Sequence, residues 1–434
     1  MGAHNKVRIK LKPIFKTPTD KNYFFGYYDK SPVSLDGTKH LALEVDFIDR
    51  LPNKNDKARI GYFDLEKKDG IFYQITSTKT FNWQQGAMLQ WYGNKNSQII
   101  YNDIIDNKFV SIVYNLLTRN KRVLPMAIYS LSSNGNFALC IDNERHHWVR
   151  RGYSYDGISN QEKNKNFVES DGIYILDTDS GRVEQIINIK DLINFKTLES
   201  MKGGVHYLEH LMVSPDNKRL AFFHRWKLSD GGIFTRFYTA NCDGSGLYLL
   251  NDSGRMSHFC WNQEGRLFGW GARQNAINSL RKYRNIVNFF IKPLLPLYKI
   301  LISGNAIDGT SKISSALTGD SYILFNDETK DKELISSEFL DRDGHPTFCP
   351  VNEDWIVTDT YPNKNGLAQL ILFNIKTSEK VVVSELRSIK KYDNTVNRCD
   401  LHPKWSYDGR FVSIDTMDNG IRGMYLYYVG DVIQ

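Results

Sequence analysis

Four histidines stand at the same position of a repeated sequence pattern, which is the clearest chemical signal in the chain. Each begins a short segment that reaches a turn four residues later, and the turns read SPDN, NQEG, CPVN and SYDG. The histidines are His210, His258, His345 and His402. Imidazoles crowded into one volume repel each other when protonated unless a metal ion or an anion satisfies them. Neutral imidazole is a common ligand of Mn, Fe, Ni and Zn, so the pattern predicts a divalent metal centre.

The strand that follows each turn runs back toward its histidine, so we expect the residues at the far end of that strand to border the same volume. Residues at or just after these strand ends include His224, Arg225, Tyr361, Arg145, His146 and Arg151. Arginine binds carboxylates through paired hydrogen bonds, which predicts a carboxylate-bearing ligand. Simple solvation at the surface is an equally good explanation for Arg150 and Arg151.

The elements that position these residues form an internal repeat. In each unit, Asp, Asn and Gly favour a tight turn, and the β-branched and aromatic residues after it favour a second strand. The pattern continues upstream without the histidine, with turns at Ser34 to Gly37, near Gly93 to Asn96, and at Ser132 to Gly135, which makes seven units. The spacing is typical of four-stranded blades. We therefore predict an all-β fold, a seven-bladed β-propeller that spans residues 1–434 as one domain, rather than an irregular β-sandwich. The early segment VRIKLKPIF is a candidate to close the ring by joining the last blade.

The interval between His258 and His345 is much longer than the other two intervals between these histidines. The excess, residues 276–312, is basic and apolar, and it is predicted to be a partly helical insertion in the fifth blade. Ser279 is a candidate helix N-cap, whereas Pro293 and Pro296 would break or kink a helix. The segment is too interrupted to span a bilayer. It either packs on the propeller or serves as a lid, or residues 280–302 contact a protein partner or a membrane surface.

Composition narrows the classes of function. The net charge of +7 is spread along 434 residues and suits an anionic partner without selecting one. No run of interleaved basic and aromatic residues indicates nucleic-acid binding. Five widely spaced cysteines argue against a disulfide framework, and the N-terminal sequence lacks the apolar core of a signal peptide, so we expect a cytoplasmic protein.

The histidine-bearing blades resemble those of the oligogalacturonate lyases, seven-bladed propellers related to TolB-type repeats. That family holds a manganese ion with three histidines and a glutamine, and it cleaves short uronate oligosaccharides by β-elimination. The family pattern Gln-x-x-His-x-His falls on Asn397 to His402, where only the final histidine is kept and Asp400 takes the other histidine's place. This departure leaves the identity of the metal, and the pectin-type specificity, open.

The resemblance implies roles for individual residues. The metal ligands would be His258, His345 and His402, with Asp400 as a further candidate. His210, with His224 beside it, would supply the base, although His210 and one of the ligands are interchangeable at this stage. Arg225 would grip the substrate carboxylate, because β-elimination requires that charge to be neutralised before the C5 proton can be removed.

Two other readings of the sequence stay open. One is a non-catalytic propeller that binds a glycan or acts as a scaffold in polysaccharide assembly, since a fold alone does not fix a function. The other keeps the metal but changes the reaction to hydrolysis or epimerisation. A propeller-type serine peptidase is excluded, because seven blades consume the chain and no G-x-S-x-G nucleophile motif follows a strand.

Overall fold

The chain forms seven antiparallel β-sheets arranged as the blades of a propeller. The computed structural model describes residues 6–7, 10–93, 95–160, 162–272, 319–335 and 340–434. Within these residues the predicted all-β, seven-bladed fold is confirmed, and each sheet is built mainly from strands that follow one another in the chain and pair antiparallel. The predicted insertion, residues 276–312, lies outside the described residues, as does its candidate contact segment 280–302.

The first three blades each contain four strands. The first blade is formed by β3 (Asn22–Phe24), β4 (Lys39–Val45), β5 (Ala58–Asp64) and β6 (Phe72–Thr78). The second is formed by β7 (Gln90–Trp91), β8 (Gln98–Ile105), β9 (Lys108–Asn115) and β10 (Lys121–Leu124). The third is formed by β11 (Ser130–Leu131), β12 (Phe137–Cys140), β13 (Gly172–Asp177) and β14 (Val183–Asn188).

The remaining four blades carry the repeated histidines within their first strand or two residues before it. The fourth blade is formed by β15 (Val205–Val213), β16 (Arg219–Lys227), β17 (Ile233–Asn241) and β18 (Tyr248–Gly254). The fifth is formed by β19 (Met256–Trp261), β20 (Arg266–Ala272), β21 (Asp320–Asn326) and β22 (Lys332–Ile335). The sixth contains β23 (Thr347–Phe348), β24 (Trp355–Asp359), β25 (Leu367–Asn374) and β26 (Lys380–Arg387). The seventh contains β27 (Lys404–Trp405), β28 (Phe411–Thr416) and β29 (Gly423–Tyr428).

Strands from the start of the chain complete the last two blades. β2 (Phe15–Lys16) is the outer strand of the seventh blade, where it pairs antiparallel with β29. β1 (Lys6–Val7) instead pairs parallel with β26 at the edge of the sixth blade. The early segment therefore closes the ring as the sequence predicted, but it touches two blades rather than one. Closure matters because an open ring would leave strand edges unpaired.

The repeated turns are held by a serine and by the aspartate that stands two residues after it. Ser214 Oγ donates to Asp216 Oδ1 at 2.6 Å, and the same serine oxygen accepts from the backbone N–H of Arg219 at 2.9 Å. Ser34 and Ser406 make the equivalent pairs of bonds in the first and seventh blades. These local hydrogen bonds satisfy the backbone polar groups of a tight turn, which is why the same motif recurs in several blades.

Neighbouring blades are joined by tryptophans as well as by apolar packing. The indole N–H of Trp405 donates to the Thr347 carbonyl at 3.1 Å, across the boundary between the seventh and sixth blades. Trp91 and Trp261 make the same bond to the preceding blade. The apolar core lies between blades, and one cluster joins strands of the second, third and fourth blades.

Short helices lie in the longer connections. These helices are α1 (Asn143–Val149), α2 (Ile189–Asn194), and two 3-10 turns at Glu199–Met201 and Lys390–Tyr392. Asp142 caps α1 by accepting from the backbone N–H of Arg145 at 3.0 Å. None of the helices in the described part of the chain is long and apolar enough to cross a lipid bilayer.

Candidate functional site

The four repeated histidines meet at one mouth of the central channel. Their rings form a chain in which the centroid distances are 5.5 Å from His210 to His258, 4.1 Å from His258 to His345 and 4.3 Å from His345 to His402. All four side chains are buried. The register of the repeat therefore brings them into one volume, where propeller symmetry makes them neighbours.

Two consecutive tyrosines from the first blade fill the centre of this histidine arc. The Tyr27 ring lies edge-on to His210 at 5.6 Å and to His402 at 5.3 Å. Tyr28 contacts the remaining histidines, and its hydroxyl donates to the Phe259 carbonyl at 2.8 Å. Beyond Tyr28 the channel opens at its other end into a cavity of about 430 Å³, lined by residues of all seven blades. The tyrosines therefore separate the histidine mouth from that cavity.

Two of the histidines have a backbone conformation that L-residues rarely adopt. His210 has φ +56° and His402 has φ +42°. At His210 the strand pairing shifts between Glu209 and Met212, which is a β-bulge that re-aims the side chain. Such strain costs free energy and is typically retained where it serves a site. The pattern of residue types gives no sign of it.

One group of side chains has the donor atoms and spacing of a metal site. The ligand atoms of His345, Asp400 and His402 all lie within 4.8 Å of one another. His345 Nδ1 faces the Asp359 carboxylate at 2.8 Å, and His402 Nδ1 lies 3.1 Å from the Gly26 carbonyl. A hydrogen bond at Nδ1 fixes the tautomer that leaves Nε2 as the ligand atom, as in most histidine metal sites.

The site also contains buried polar atoms that lack protein partners, which supports the metal interpretation. Among the described residues, His402 Nε2 and both ring nitrogens of His210 are buried without a hydrogen-bond partner. Unsatisfied buried polar atoms are costly, so an ion or water would stabilise them. His258 lies beside the trio, with Nδ1 2.9 Å from Ser257 Oγ and 3.4 Å from Asp343. The donor set of imidazole nitrogens and a carboxylate fits Mn, Fe, Ni or Zn.

Burial and neighbouring charges divide the histidines into two classes. Burial lowers the pKa of His402 well below its usual value, and His345 and Lys404 lower it further. Burial and His345 also lower the pKa of His258. Burial would lower the pKa of His345 too, but the Asp359 carboxylate outweighs it and raises that pKa. Asp359 accordingly has a lowered pKa despite its burial.

A second charged cluster surrounds Glu209, next to His210. The fully buried Glu209 carboxylate pairs with Arg225 and lies 3.6 Å from Arg150 Nε and 3.6 Å from His146 Nε2. Burial acts to raise the pKa of Glu209, but Arg225 and Arg150 hold it well below the ordinary range. His210 Nδ1 lies 3.8 Å from the same carboxylate. Burial lowers the pKa of His210 well below 6.5, so its imidazole is neutral.

This arrangement corrects the expected position of Arg225. Its guanidinium pairs with Glu209, and its Nη2 donates to the Met256 carbonyl at 3.1 Å, so the donors expected to grip a substrate bind the protein instead. Arg150 and Arg398 are more accessible, with side chains 28% and 23% exposed.

Two other predicted site residues lie away from the histidine arc. His224 projects from the opposite face of β16 to Arg225, with Nε2 3.0 Å from His206 Nδ1 and its ring against Trp226. Successive residues of a strand face opposite sides, so His224 and Arg225 cannot both face the mouth. Arg145 is buried and donates to three backbone carbonyls, including that of Lys165 at 2.6 Å.

The remaining predicted residues take three different positions. Tyr361 lies over His345, with ring centroids 5.8 Å apart, and also faces Arg398. His146 is buried beside Glu209, whereas Arg151 is exposed. The predicted roles of these side chains stay predictions.

Three residues of the mouth were not singled out from the sequence, although one of them had a usable signal. Glu209 precedes a repeated histidine directly, so its position would have been a reason to consider it. Tyr153 and Arg398 lie in long connections between strands, where the repeat provides no register. Their contacts with each other are visible only in three dimensions.

Comparison with solved structures places the fold among known propellers. The oligogalacturonate lyase of Vibrio parahaemolyticus aligns with a TM-score of 0.59 at 14% identity, covering 99% of this chain and 99% of that chain. Hydrazine synthase of Kuenenia stuttgartiensis gives 0.48 at 9% identity, covering 98% and 99%. TolB of Acinetobacter baumannii gives 0.38 at 12% identity, covering 79% and 63%. No protein-family profile and no curated protein matches the sequence. At these identities the likeness shows the fold: the chain shares the β-propeller architecture of oligogalacturonate lyase.

Proposed function

We propose that this protein is a polysaccharide lyase-like enzyme that acts on uronic-acid-containing oligosaccharides by metal-assisted β-elimination. The observation that carries the proposal is the trio of His345, Asp400 and His402, whose two histidines are anchored through Nδ1. The likeness in fold to an oligogalacturonate lyase supports it. The ligand we propose is an acidic oligosaccharide.

His345, His402 and Asp400 would hold the metal, with His258 beside them as a further candidate ligand. A bound divalent cation neutralises the uronate carboxylate and so acidifies the C5 proton. Asp359 fixes His345 through its side chain and backbone, with bonds of 2.8 Å to both Nδ1 and N. The protein thus orients its ligands before any substrate arrives, which is the purpose of preorganisation in such sites.

His210 is the proposed base. Its imidazole is neutral because burial lowers its pKa, and neither ring nitrogen has a hydrogen-bond partner among the residues that the structure describes. A neutral imidazole with a free nitrogen can accept a proton, and the Glu209 carboxylate 3.8 Å away stabilises the resulting cation. Arg150, rather than Arg225, would bind the uronate carboxylate at the mouth, because its side chain is partly exposed and lies 3.6 Å from Glu209, beyond hydrogen-bond distance.

The first test measures metal content and turnover together. Elemental analysis of the purified protein should find about one equivalent of Mn, Fe, Ni or Zn, and His402→Ala should lose it. His224→Ala is the matched control, since this buried histidine lies outside the trio and its loss should leave the metal in place. Uronate oligosaccharides are then screened for the ultraviolet absorbance of an unsaturated product.

Each outcome of that test decides between readings. Metal that is lost only in His402→Ala, together with product formation, supports the lyase. Metal without turnover of any uronate would favour a non-catalytic glycan-binding or scaffold propeller. Absence of metal from the wild type would refute the metal-assisted mechanism. The cytoplasmic location and a contact through residues 280–302 remain predictions from the sequence.

A further inference from the structure

Tyr153 lies between two arginines at the histidine mouth. Its hydroxyl accepts a hydrogen bond from Arg398 Nη2 at 2.8 Å. The Arg150 guanidinium lies over its ring, 4.2 Å from the centroid. Both cations favour negative charge on the phenol, one through the oxygen and the other through the ring face.

The hydroxyl of Tyr153 retains a proton that it can give away. A phenol has one donor hydrogen and can accept hydrogen bonds at its oxygen. The bond from Arg398 uses the acceptor capacity, and within the described part of the chain no acceptor takes the phenolic hydrogen. The O–H group is therefore free to donate to a molecule in the mouth.

Tyr153 lies near the side chains that surround the histidines. Arg398, which binds its hydroxyl, also lies over the Tyr361 ring, 5.7 Å from the centroid. Tyr361 in turn lies edge-on to His345, with ring centroids 5.8 Å apart. The phenol therefore lies close to the surroundings of the proposed metal ligands.

The two arginines connect Tyr153 to the proposed metal ligands on one side and to the proposed base on the other. Arg398 binds the Asp400 carboxylate at 2.9 Å while it holds the hydroxyl. Arg150 lies 3.6 Å from Glu209, the partner of His210. The phenol is therefore supported from the metal half and from the base half, which fixes its position between them.

Three other tyrosines near the histidines lack this combination. The Tyr28 hydroxyl donates to the Phe259 carbonyl, and the Tyr129 hydroxyl accepts from Gln85 and from the His210 backbone. Tyr27 is buried without a hydrogen-bond partner, and the Glu209 carboxylate further raises its pKa. Of these four tyrosines, Tyr153 alone has a guanidinium bonded to its oxygen.

We infer that Tyr153 is the general acid of the elimination, an inference that rests on the proposed function. The base takes the C5 proton and leaves the electron pair of the C5–H bond in an enolate of the uronate carboxylate. This pair then forms the C4=C5 double bond as the C4–O bond breaks. The leaving oxygen takes the proton of the Tyr153 hydroxyl, which leaves a phenolate beside Arg150 and Arg398. Water returns a proton to the phenolate, and His210 releases the C5 proton to solvent, so the cycle closes without an oxidant or reductant.

The test compares two leaving groups in wild type and in Tyr153→Phe. One probe is a 4-linked diuronate, whose sugar alkoxide needs a proton to leave. The other is a uronate with p-nitrophenoxide at C4, which leaves readily as an anion. General acid catalysis contributes about 10²–10⁴-fold, so we expect kcat/KM for the diuronate to fall by that factor. For the p-nitrophenyl probe we expect less than about a tenfold loss.

A third readout isolates removal of the C5 proton. Exchange of the C5 hydrogen of the diuronate in D₂O needs the base but not the acid, so Tyr153→Phe should retain it. Metal content should also be unchanged. Tyr407→Phe is the matched control because Tyr407 lines the cavity at the other end of the channel, and it should leave every rate at the wild-type level.

The outcomes separate the two proposals. Equal losses for both probes in Tyr153→Phe, or no loss for either, overturn the role of Tyr153 as acid. Loss of C5 exchange in the variant overturns it as well, because the residue would then serve proton abstraction. If the wild type neither exchanges C5 hydrogen nor eliminates from either probe, the proposed function itself fails, and this role fails with it.

Discussion

Replacing Asp359 by asparagine tests whether this carboxylate holds the proposed metal ligands His345 and His402 in position. The Asp359 carboxylate accepts three N–H groups: the backbone and Nδ1 of His345, each at 2.8 Å, and the backbone of His402 at 3.2 Å. Asparagine has the same shape but one acceptor oxygen, and it has no charge. At least one of the three donors must therefore lose its acceptor.

The magnitude follows from the number and type of these bonds. Hydrogen bonds to a charged group contribute about 1.5–3 kcal/mol each, so the metal-free variant should lose about 2 kcal/mol of unfolding free energy. Loss of a carboxylate that orients a ligating histidine lowers metal affinity by about 10–100-fold. Titration of metal-stripped protein with Mn²⁺ in a competing chelator would measure the affinity, and urea unfolding would measure the stability.

Asp415 provides the matched control. It is the fifth residue of β28 as Asp359 is the fifth residue of β24, but it accepts from Phe25, Gly26 and Lys404 and from no histidine. Asp415→Asn should lose stability comparably. Asp415 also holds the Gly26 backbone, whose carbonyl accepts from His402 Nδ1, so we expect a loss of metal affinity of up to about threefold, smaller than the loss in Asp359→Asn. Wild-type affinity in Asp359→Asn, or an equal loss of affinity in both variants, would refute the reasoning.

Three further predictions concern the frame of the site. Burial, with Asp142 nearby, raises the pKa of Asp171 from 3.8 to about 7. The folded chain therefore binds a proton at this carboxylate more tightly than the unfolded chain does. As a result, the free energy of unfolding falls as the pH rises from about 4 to 7. Asp171→Asn removes this dependence, which amounts to at most about 4 kcal/mol, and urea unfolding at pH 5 and pH 8 would show the flatter profile. Trp405→Phe deletes the hydrogen bond to the Thr347 carbonyl and should lower the free energy of unfolding in urea by about 1–2 kcal/mol. An unchanged unfolding midpoint would show that this bond does not stabilise the contact between the two blades. Glu209→Gln leaves Arg225 and Arg150 without their buried carboxylate and should cost about 3–5 kcal/mol, whereas Glu184→Gln at the exposed pair with Arg182 should change stability by less than about 1 kcal/mol.

The repeat explains why the fold was predictable from sequence. A serine, an aspartate and a glycine or asparagine make the same turn wherever they occur, because the bonds that hold it are local. The strands on either side follow from those turns. The register then places His210, His258, His345 and His402 in one volume without any knowledge of long-range contacts.

The assignment of roles within the mouth was less predictable, because it depends on pairing across strands. Arg225 lies opposite Tyr207 in the register of β15 and β16, and is therefore diagonal to Glu209, within reach of its carboxylate. His224 lies opposite Leu208 and is diagonal to His206 on the other face. The alternation of side chains along β16 would have separated these neighbours from sequence alone, but the identity of their partners required the register.

Connections without a repeat were the least predictable part. Arg150 and Tyr153 follow α1 in the connection from β12 to β13, and Arg398 and Asp400 end the connection from β26 to β27. Such segments have no fixed period, so their side chains cannot be aligned with one another in advance. Their meeting at the mouth comes from tertiary contacts such as the bond from Arg398 to Tyr153.

The ring closure means that β2 must wait for its partner strand β29 to be synthesised. Thr17 Oγ1 accepts from the backbone N–H of Met424, 407 residues further along the chain, next to the pairing of β2 with β29. At about 5–20 residues per second, synthesis of the intervening chain takes roughly 20–80 seconds. During that interval the blades can form in order from the first, but β2 has no partner. The newly made protein therefore passes through a stage with an open ring and unpaired strand edges, and the synthesis of β29 ends that exposure.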